Sequence, residues 1–358
     1  MGKLTVASNY SFDQWSFDFS NLYYGASYVR TSTTFRVNYS DGTSEIFEGT
    51  GFLYDAYGVP YSGTVTSYSA YYNGKPLVVF QGGSIAASDI VAAANTNWHL
   101  GDDEDVIFDA LNGNDTLVGG NLADALAGFN GNDLVNGNGG TDILYGNDGN
   151  DAIIGGSGKD VIDGGDGRDT ASYAGAARGV NANLTNNSGN TNDAYGDTYF
   201  SIESLIGSSY SDVLHGDTGV NSLVGGSGND FISGHAGNDI LYGGLGTDRI
   251  YGGVGADKFL FKTIAESSAT SFDSIFDFMA SERDRIDLSA IDASTKLSGN
   301  QAFSFIGTTA FSGAAGQLRY VKQASDTYIY ADVNGDKKVD LTVHLDDAVT
   351  LTKDYFVL

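Results

Sequence analysis

The sequence predicts a mainly β protein in three parts: a parallel β-roll in the middle, a C-terminal β domain, and a small β-rich (α+β) domain at the N-terminus. Three observations carry this. Of the 50 glycines, 35 fall between residues 101 and 260. Through that stretch an aspartate recurs every nine residues, the period of a coiled parallel array rather than of a helix. Of the 44 aromatic residues, 20 lie in the first hundred, where apolar and polar residues alternate as in strands. Boundaries near residues 100 and 260 follow, giving segments 1–100, 101–260 and 261–358.

The first segment reads as hairpins. Phe35 to Tyr39 alternates, turns at Ser40-Asp41-Gly42-Thr43 and continues through Glu45-Ile46-Phe47. Thr64 to Tyr72 turns at Asn73-Gly74, a pair suited to a tight hairpin, and returns through Leu77 to Phe80. Ser84 to Ala94 reads as one short helix with Ser84 as its N-cap.

The middle segment is two arrays, 110–172 and 207–260, joined by a linker, 173–206. In the first array the sixth position of each repeat is Asp115, Asp124, Asp133, Asp142, Asp151, Asp160 and Asp169; in the second it is Asp212, Asn221, Asp230, Asp239, Asp248 and Asp257. The eighth is apolar, from Leu117 and Leu126 through to Ile250 and Phe259. A glycine-rich turn lets backbone carbonyls converge, and the aspartate adds a hard anionic oxygen. Oxygen donors without sulfur or imidazole suit Ca²⁺. Two nonapeptides make one coil, so same-side aspartates stand eighteen residues apart. With one ion between repeats i and i+2, the arrays hold about nine Ca²⁺, offsetting roughly two-thirds of the net charge of −27.

The remaining composition excludes whole classes. A charge of −27 argues against nucleic acid. The absence of cysteine removes disulfides and thiolate metal sites. No 18-residue apolar run is present, so no transmembrane segment is expected, and the first residues lack the apolar core of a signal peptide.

The repeats resemble the RTX (hemolysin-type calcium-binding) family, most clearly at Gly155-Gly156-Ser157-Gly158-Lys159-Asp160 and Gly225-Gly226-Ser227-Gly228-Asn229-Asp230. The resemblance implies calcium held by the sixth-position side chains and by carbonyls of positions two and four. Here those positions include Gly156 and Gly226 (two) and Gly113, Gly131, Gly140, Gly149, Gly158, Gly167, Gly219, Gly228, Gly237, Gly246 and Gly255 (four). Leu122 and Asn221 depart from the pattern. The last segment is similar to the C-terminal domain of the serralysin metalloproteases at 255–261, 272–278, 284–293, 310–320, 331–340 and 353–358. That similarity implies export by a type I secretion apparatus reading Asp354-Tyr355-Phe356-Val357-Leu358, and folding on extracellular calcium. The zinc motif HExxH of those proteases is missing: the histidines are His99, His215, His235 and His344, with no pair at i, i+4. The expectation is a secreted, non-catalytic protein whose residues 1–100 bind a cell-surface or matrix ligand.

Weaker signals are few. Asp332-Val333-Asn334-Gly335-Asp336 with Asp340 is part of an EF-hand pattern, with Lys337 at the glycine position and Val343 at that of the glutamate. An Asx-rich turn is the simpler reading. His215 and His235 fall at repeat positions nine and two and read as exposed roll residues. Tyr54, Tyr57, Tyr61, Tyr68, Tyr71 and Tyr72 cluster, either as strand packing or as a recognition surface. The carboxylates Asp13, Asp18, Asp41, Glu45, Glu48, Asp55 and Asp89 are scattered. The stretch from Tyr61 through Asn73-Gly74 to Ile90 is remotely similar to secreted haemophores, with Tyr61 at the ligand tyrosine and no histidine before His99. Haem binding, a bacteriocin-like RTX toxin and a hydrolase are the alternatives for this segment.

Overall fold

The computed structural model describes residues 2–14, 19–94, 106–108 and 110–358. His99, Asp18 and the boundary near residue 100 lie outside the described residues. The chain forms two compact units: Met1–Ala171 with Asp197–Ile202, and Ser172–Gly196 with Glu203–Leu358.

In the first unit, β1 (Lys3–Val6), β2 (Ser27–Arg30), β3 (Thr34–Asn38), β4 (Thr43–Tyr54), β5 (Pro60–Tyr72) and β6 (Lys75–Ala86) make an antiparallel arrangement in the order β2-β3-β4-β5-β6-β1. The alternation read from the sequence sets its register. Phe35 faces Phe47, Phe47 faces Tyr68, and Tyr68 faces Phe80, so one row of rings crosses four strands. All four are buried, and Phe19 closes on Phe47 and Tyr68 at ring-centroid distances of 6.2 and 6.3 Å. Asn73 and Gly74 both take positive φ, 48° and 76°, as the two-residue turn requires. Helix α1 (Ala87–Ala94) packs against β5 with Ala87, Ile90 and Ala94 inward. It starts three residues later than expected. Ser84 is not its N-cap but part of β6, because Ile85 pairs with Val65 and is buried, which carries the strand on to Ala86.

β1 has two partners. It runs antiparallel to β6, and its other edge pairs in parallel with Thr116–Val118, Leu4 opposite Leu117. Residues 2–14 thus cap the roll. Phe12 N–H bonds the Asp124 carboxylate at 2.7 Å, Ala125 N–H bonds the Phe12 carbonyl, and Gln14 pairs with the Ala127 backbone in both directions.

The roll in this unit has two stacks of short parallel strands. One holds Thr116–Val118, Leu134–Asn136 and Ala152–Ile154, continued by Thr170 and Ala171. The other holds Ala125–Asn130, Ile143–Asp148, Val161–Asp166 and Thr198–Phe200. The eighth-position residues Leu117, Val135, Ile153, Leu126, Leu144 and Ile162 all point inward, with no exposed surface. One apolar side chain per nine residues is a thin core beside the entropy of ordering nine backbones.

The second unit repeats the pattern and carries it past the nonapeptides. One stack runs Ser204–Ile206, Ser222–Ser227, Ile240–Leu245, Lys258–Leu260, Arg285–Asp287 and Phe356–Val357. The other runs Asn181–Asn183, Val213–His215, Phe231–Ser233, Arg249–Tyr251, Asp273–Ile275 and Leu341–Leu345, then turns antiparallel through Thr327–Asp332 and Gln317–Lys322.

Candidate metal centre

The turns between strands are shaped by backbone angles that few side chains tolerate. Inside the arrays position two is left-handed whether or not glycine stands there: Phe129, Asn138, Asn147 and His235 have φ of 69°, 64°, 70° and 72°, and Gly156 and Gly226 have 92° and 109°, whereas Leu111, Gly120, Ser208 and Asp217, in the first repeats, do not share it. At position four the requirement is tighter. Gly149 has φ 141°, and a Cβ there would run into the Gly131 carbonyl; Gly131, Gly167, Gly246 and Gly255 repeat both features. Gly113, Gly140, Gly228 and Gly237 share the positive φ, whereas Gly158 and Gly219 do not. Leu122, the exception at this position, is exposed.

These turns hold the sixth-position side chains in ladders. Each carboxylate accepts, through Oδ1, the backbone N–H of the ladder member two repeats earlier. Asp115 donates to Asp133 at 2.7 Å, Asp133 to Asp151 at 2.7 Å and Asp151 to Asp169 at 2.8 Å. On the opposite edge Asp124 donates to Asp142 at 2.8 Å and Asp142 to Asp160 at 2.9 Å. In the second unit the pairs are Asp212–Asp230, Asp230–Asp248, Asn221–Asp239 and Asp239–Asp257, at 2.8 to 2.9 Å. Every one of these side chains is buried.

The second carboxylate oxygen is what matters chemically. Oδ2 of Asp133, Asp142, Asp151, Asp160, Asp230, Asp239, Asp248 and Asp257 is buried and receives no hydrogen bond. A buried carboxylate oxygen left without a donor or counter-charge is strongly unfavourable. Burial accordingly pushes the carboxyls of Asp133, Asp142 and Asp239 up to about 7 and that of Asp230 to about 8, with neighbouring ladder carboxylates pushing the same way. At the start of three of the ladders the turn supplies its own donor: Gly120 N–H to Asp124 Oδ2, Ser208 N–H to Asp212 Oδ2, and Asp217 N–H to Asn221 Oδ1.

Four of these oxygens face a carbonyl across a small gap that glycine keeps open. A Cβ at Gly137 would sit 2.8 Å from the Gly155 carbonyl oxygen and against the Asp142 carboxylate; Gly146, Gly225 and Gly234 stand in the same relation to Asp151, Asp230 and Asp239. The donor set is carboxylate and carbonyl oxygen throughout. It fits Ca²⁺ and supplies nothing a softer metal prefers.

Two groups of residues escaped the sequence reading. Position-one glycines were passed over because their role is space rather than φ. Asp197, Asp273 and Asp284 also join the ladders, accepting the N–H of Asp160, Asp248 and Asp257 at 2.9, 2.9 and 3.0 Å. Asp284 left a signal: Asp248-Arg249-Ile250 recurs as Asp284-Arg285-Ile286, but the ladder partner of Asp284 is Asp257, 27 residues earlier rather than eighteen.

Elsewhere the structure is plainer. His215 Nδ1 and His235 Nε2 lie 3.3 Å apart with stacked rings. The loop at 332–340 spends its carboxylates on itself: Asp332 accepts from Gly335 and Lys337 N–H, and Asp340 from Val333 N–H and Asn334. The tyrosine cluster divides. Tyr68 is buried and bonds Glu45 at 2.9 Å, Tyr54 bonds the Thr31 and Thr34 carbonyls, and Tyr57 and Tyr61 share a cleft of about 770 Å³ with Tyr23, Tyr28 and Arg30. Asp55 holds the turn over that cleft through Tyr57 and Val59 N–H. Asp13, Asp41 and Glu45 line a second cleft with Tyr71. Among the described residues no helix is long and apolar enough to cross a membrane.

Residues 109–144 and 136–171 match the RTX calcium-binding nonapeptide repeat, and residues 203–357 match the peptidase M10 serralysin C-terminal family. Among solved structures, the chain is similar to the AlgE6R3 subunit of the Azotobacter vinelandii mannuronan C5-epimerase, with 33% identity over 41% of this chain and 78% of that one and a TM-score of 0.31. The AlgE6R2 subunit matches with 29% identity over 41% and 89%, TM-score 0.28. The extracellular lipase LipA of Serratia marcescens matches with 20% identity over 68% and 40%, TM-score 0.26. No curated protein matches. The chain is a calcium-binding RTX-repeat protein with a serralysin-type C-terminal domain.

Proposed function

We propose that this is a secreted protein whose rolls fold on extracellular calcium, exported by a type I apparatus that reads residues 354–358, and that residues 1–100 carry a non-catalytic binding module for a cell-surface or matrix ligand. The calcium part rests on one observation: eight buried carboxylate oxygens that receive no hydrogen bond. The sixth-position aspartates and the turn carbonyls hold about nine ions, one between repeats i and i+2. Bound calcium supplies the positive charge that lets stacked carboxylates stay ionised, and affinities on the order of 10⁻⁴–10⁻³ M suit a chain that stays open inside the cell and closes outside. The functional division is 1–100, 101–260 and 261–358, with the cleft at Tyr57 and Tyr61 as the recognition surface.

The test is labelled full-length protein in millimolar calcium, added to bacteria, with retention and viability scored for the natural chain and for a Tyr57→Ala/Tyr61→Ala variant. Retention without killing, reduced at least tenfold in the variant, supports the module. Killing would replace it with a toxin, and no retention would refute a surface ligand.

A further inference from the structure

The edge Asp124–Asp142–Asp160 runs out of nonapeptides at Asp160. Eighteen residues further on the sequence offers Arg178, a cation where the ladder calls for an anion. The rule of one ion between repeats i and i+2 therefore leaves Asp160 without a second carboxylate. The structure does not. Asp197, in the linker, has no exposed surface, and its Oδ1 accepts the Asp160 N–H at 2.9 Å, the distance at which Asp160 itself accepts from Asp142. The backbone around it re-enters in register: Thr198 N–H bonds the Asp160 carbonyl at 2.9 Å, and Val161, Ile162 and Asp163 pair in parallel with Thr198, Tyr199 and Phe200. The Ser201 carbonyl fills the space beside Gly164 just as the Gly164 carbonyl fills that beside Gly146.

Asp160 supplies the independent observation. It is 1% exposed, and its Oδ2 receives no hydrogen bond, the same condition as Asp142 inside the array. A chain end that needed no ion would close this oxygen with its own backbone, as Gly120 does for Asp124.

We infer that Asp197 is a calcium ligand, supplying the second carboxylate of a site whose first is Asp160, so that this edge continues through the linker instead of stopping at the last nonapeptide. This rests on the calcium reading of the ladders. Asp197→Asn is the informative change, because asparagine keeps the oxygen that accepts the Asp160 N–H and removes only the charge; the fold already carries Asn221 in a ladder position. Bound calcium is counted by native mass spectrometry on the full chain at saturating calcium, with circular dichroism as the check on folding. The expected result is one ion fewer per chain with the spectrum unchanged. A natural chain that takes up no calcium would refute the ladders themselves. A loaded natural chain and an equally loaded Asp197→Asn variant would refute Asp197 alone. Asp197→Glu runs beside it: if asparagine prevents folding while glutamate folds with the full count, the charge is required and the inference stands. If both variants fail alike, Asp197 acts through shape only and the inference falls.

Discussion

In the sheet of β2 to β6, Phe35, Phe47, Tyr68 and Phe80 share one buried row, four rings deep across four strands. In the roll of residues 110–171 the corresponding row is a single Leu, Val or Ile per strand, with Ala171 at its end, and the turns beside it hold carboxylates 18 residues apart. The first is closed by apolar area. The second is closed on one side by a thin core and on the other by charges that repel until something neutralises them. The two share a strand, β1, which belongs to the sheet through β6 and to the roll through Thr116–Val118. One unit thus joins a region closed by apolar side chains to one whose buried carboxylates call for a counter-charge.

The largest effect expected from this contrast comes from chelation. Removing calcium from the full chain should abolish most of the parallel β signal in far-ultraviolet circular dichroism, while the near-ultraviolet signal of the ring row persists. Loss of both together would break the comparison. Next in size are changes to the packing on either side. Gly146→Ala places a methyl group against the Asp151 carboxylate and the Gly164 carbonyl, and should raise the calcium midpoint of folding at least tenfold, about 1.4 kcal/mol or more. Gly175→Ala, which meets nothing within 4 Å, should stay within about 0.5 kcal/mol. Leu4→Ala, removing the rung above Leu117, should cost about 3 kcal/mol in calcium, read from denaturant midpoints.

A pH series sharpens the same point. Carboxyls held up at about 7 to 8 in the fold, against about 4 in the open chain, favour the fold fully below pH 4, and this contribution is lost as pH rises through 7 and 8. Calcium-free protein should therefore show more β structure at pH 5 than at pH 8. With calcium present the protons compete, and the calcium midpoint should rise on acidification over the same range. The smallest effect is expected at the exposed cleft: Tyr57, 88% exposed, should change stability by no more than about 0.5 kcal/mol on substitution by alanine, whatever it does to retention.

Much of this was legible in the residues because the roll writes its geometry into a fixed period. An aspartate at position six and an apolar residue at position eight determine which side chains face in and which meet two repeats away, with no long-range information needed. The hairpin at Asn73-Gly74 was legible for a similar reason, since few other pairs accept two positive φ angles. What stayed hidden was either non-periodic or spatial. Asp197, Asp273 and Asp284 reach the ladders after excursions of 37, 25 and 27 residues, so counting by the eighteen-residue coil misses them. The position-one glycines matter for a gap that appears only when two turns are stacked. β1 was missed because four residues, Lys3-Leu4-Thr5-Val6, carry too short a pattern to announce a strand with two partners. Ser84 failed as a cap because the pairing of Ile85 with Val65 outweighed a local preference.

Phe356–Val357 lies beside Arg285–Asp287 as the outermost rung of its stack, with Phe356 buried and the Val357 carbonyl bonded to Leu288 N–H. A segment built into a sheet cannot at the same moment lie extended in a receptor. If these residues are the address that an exporter reads, the address exists only on the open chain, and calcium erases it by folding. Passage would then be irreversible without a gate, since the molecule that has arrived no longer carries the label that sent it.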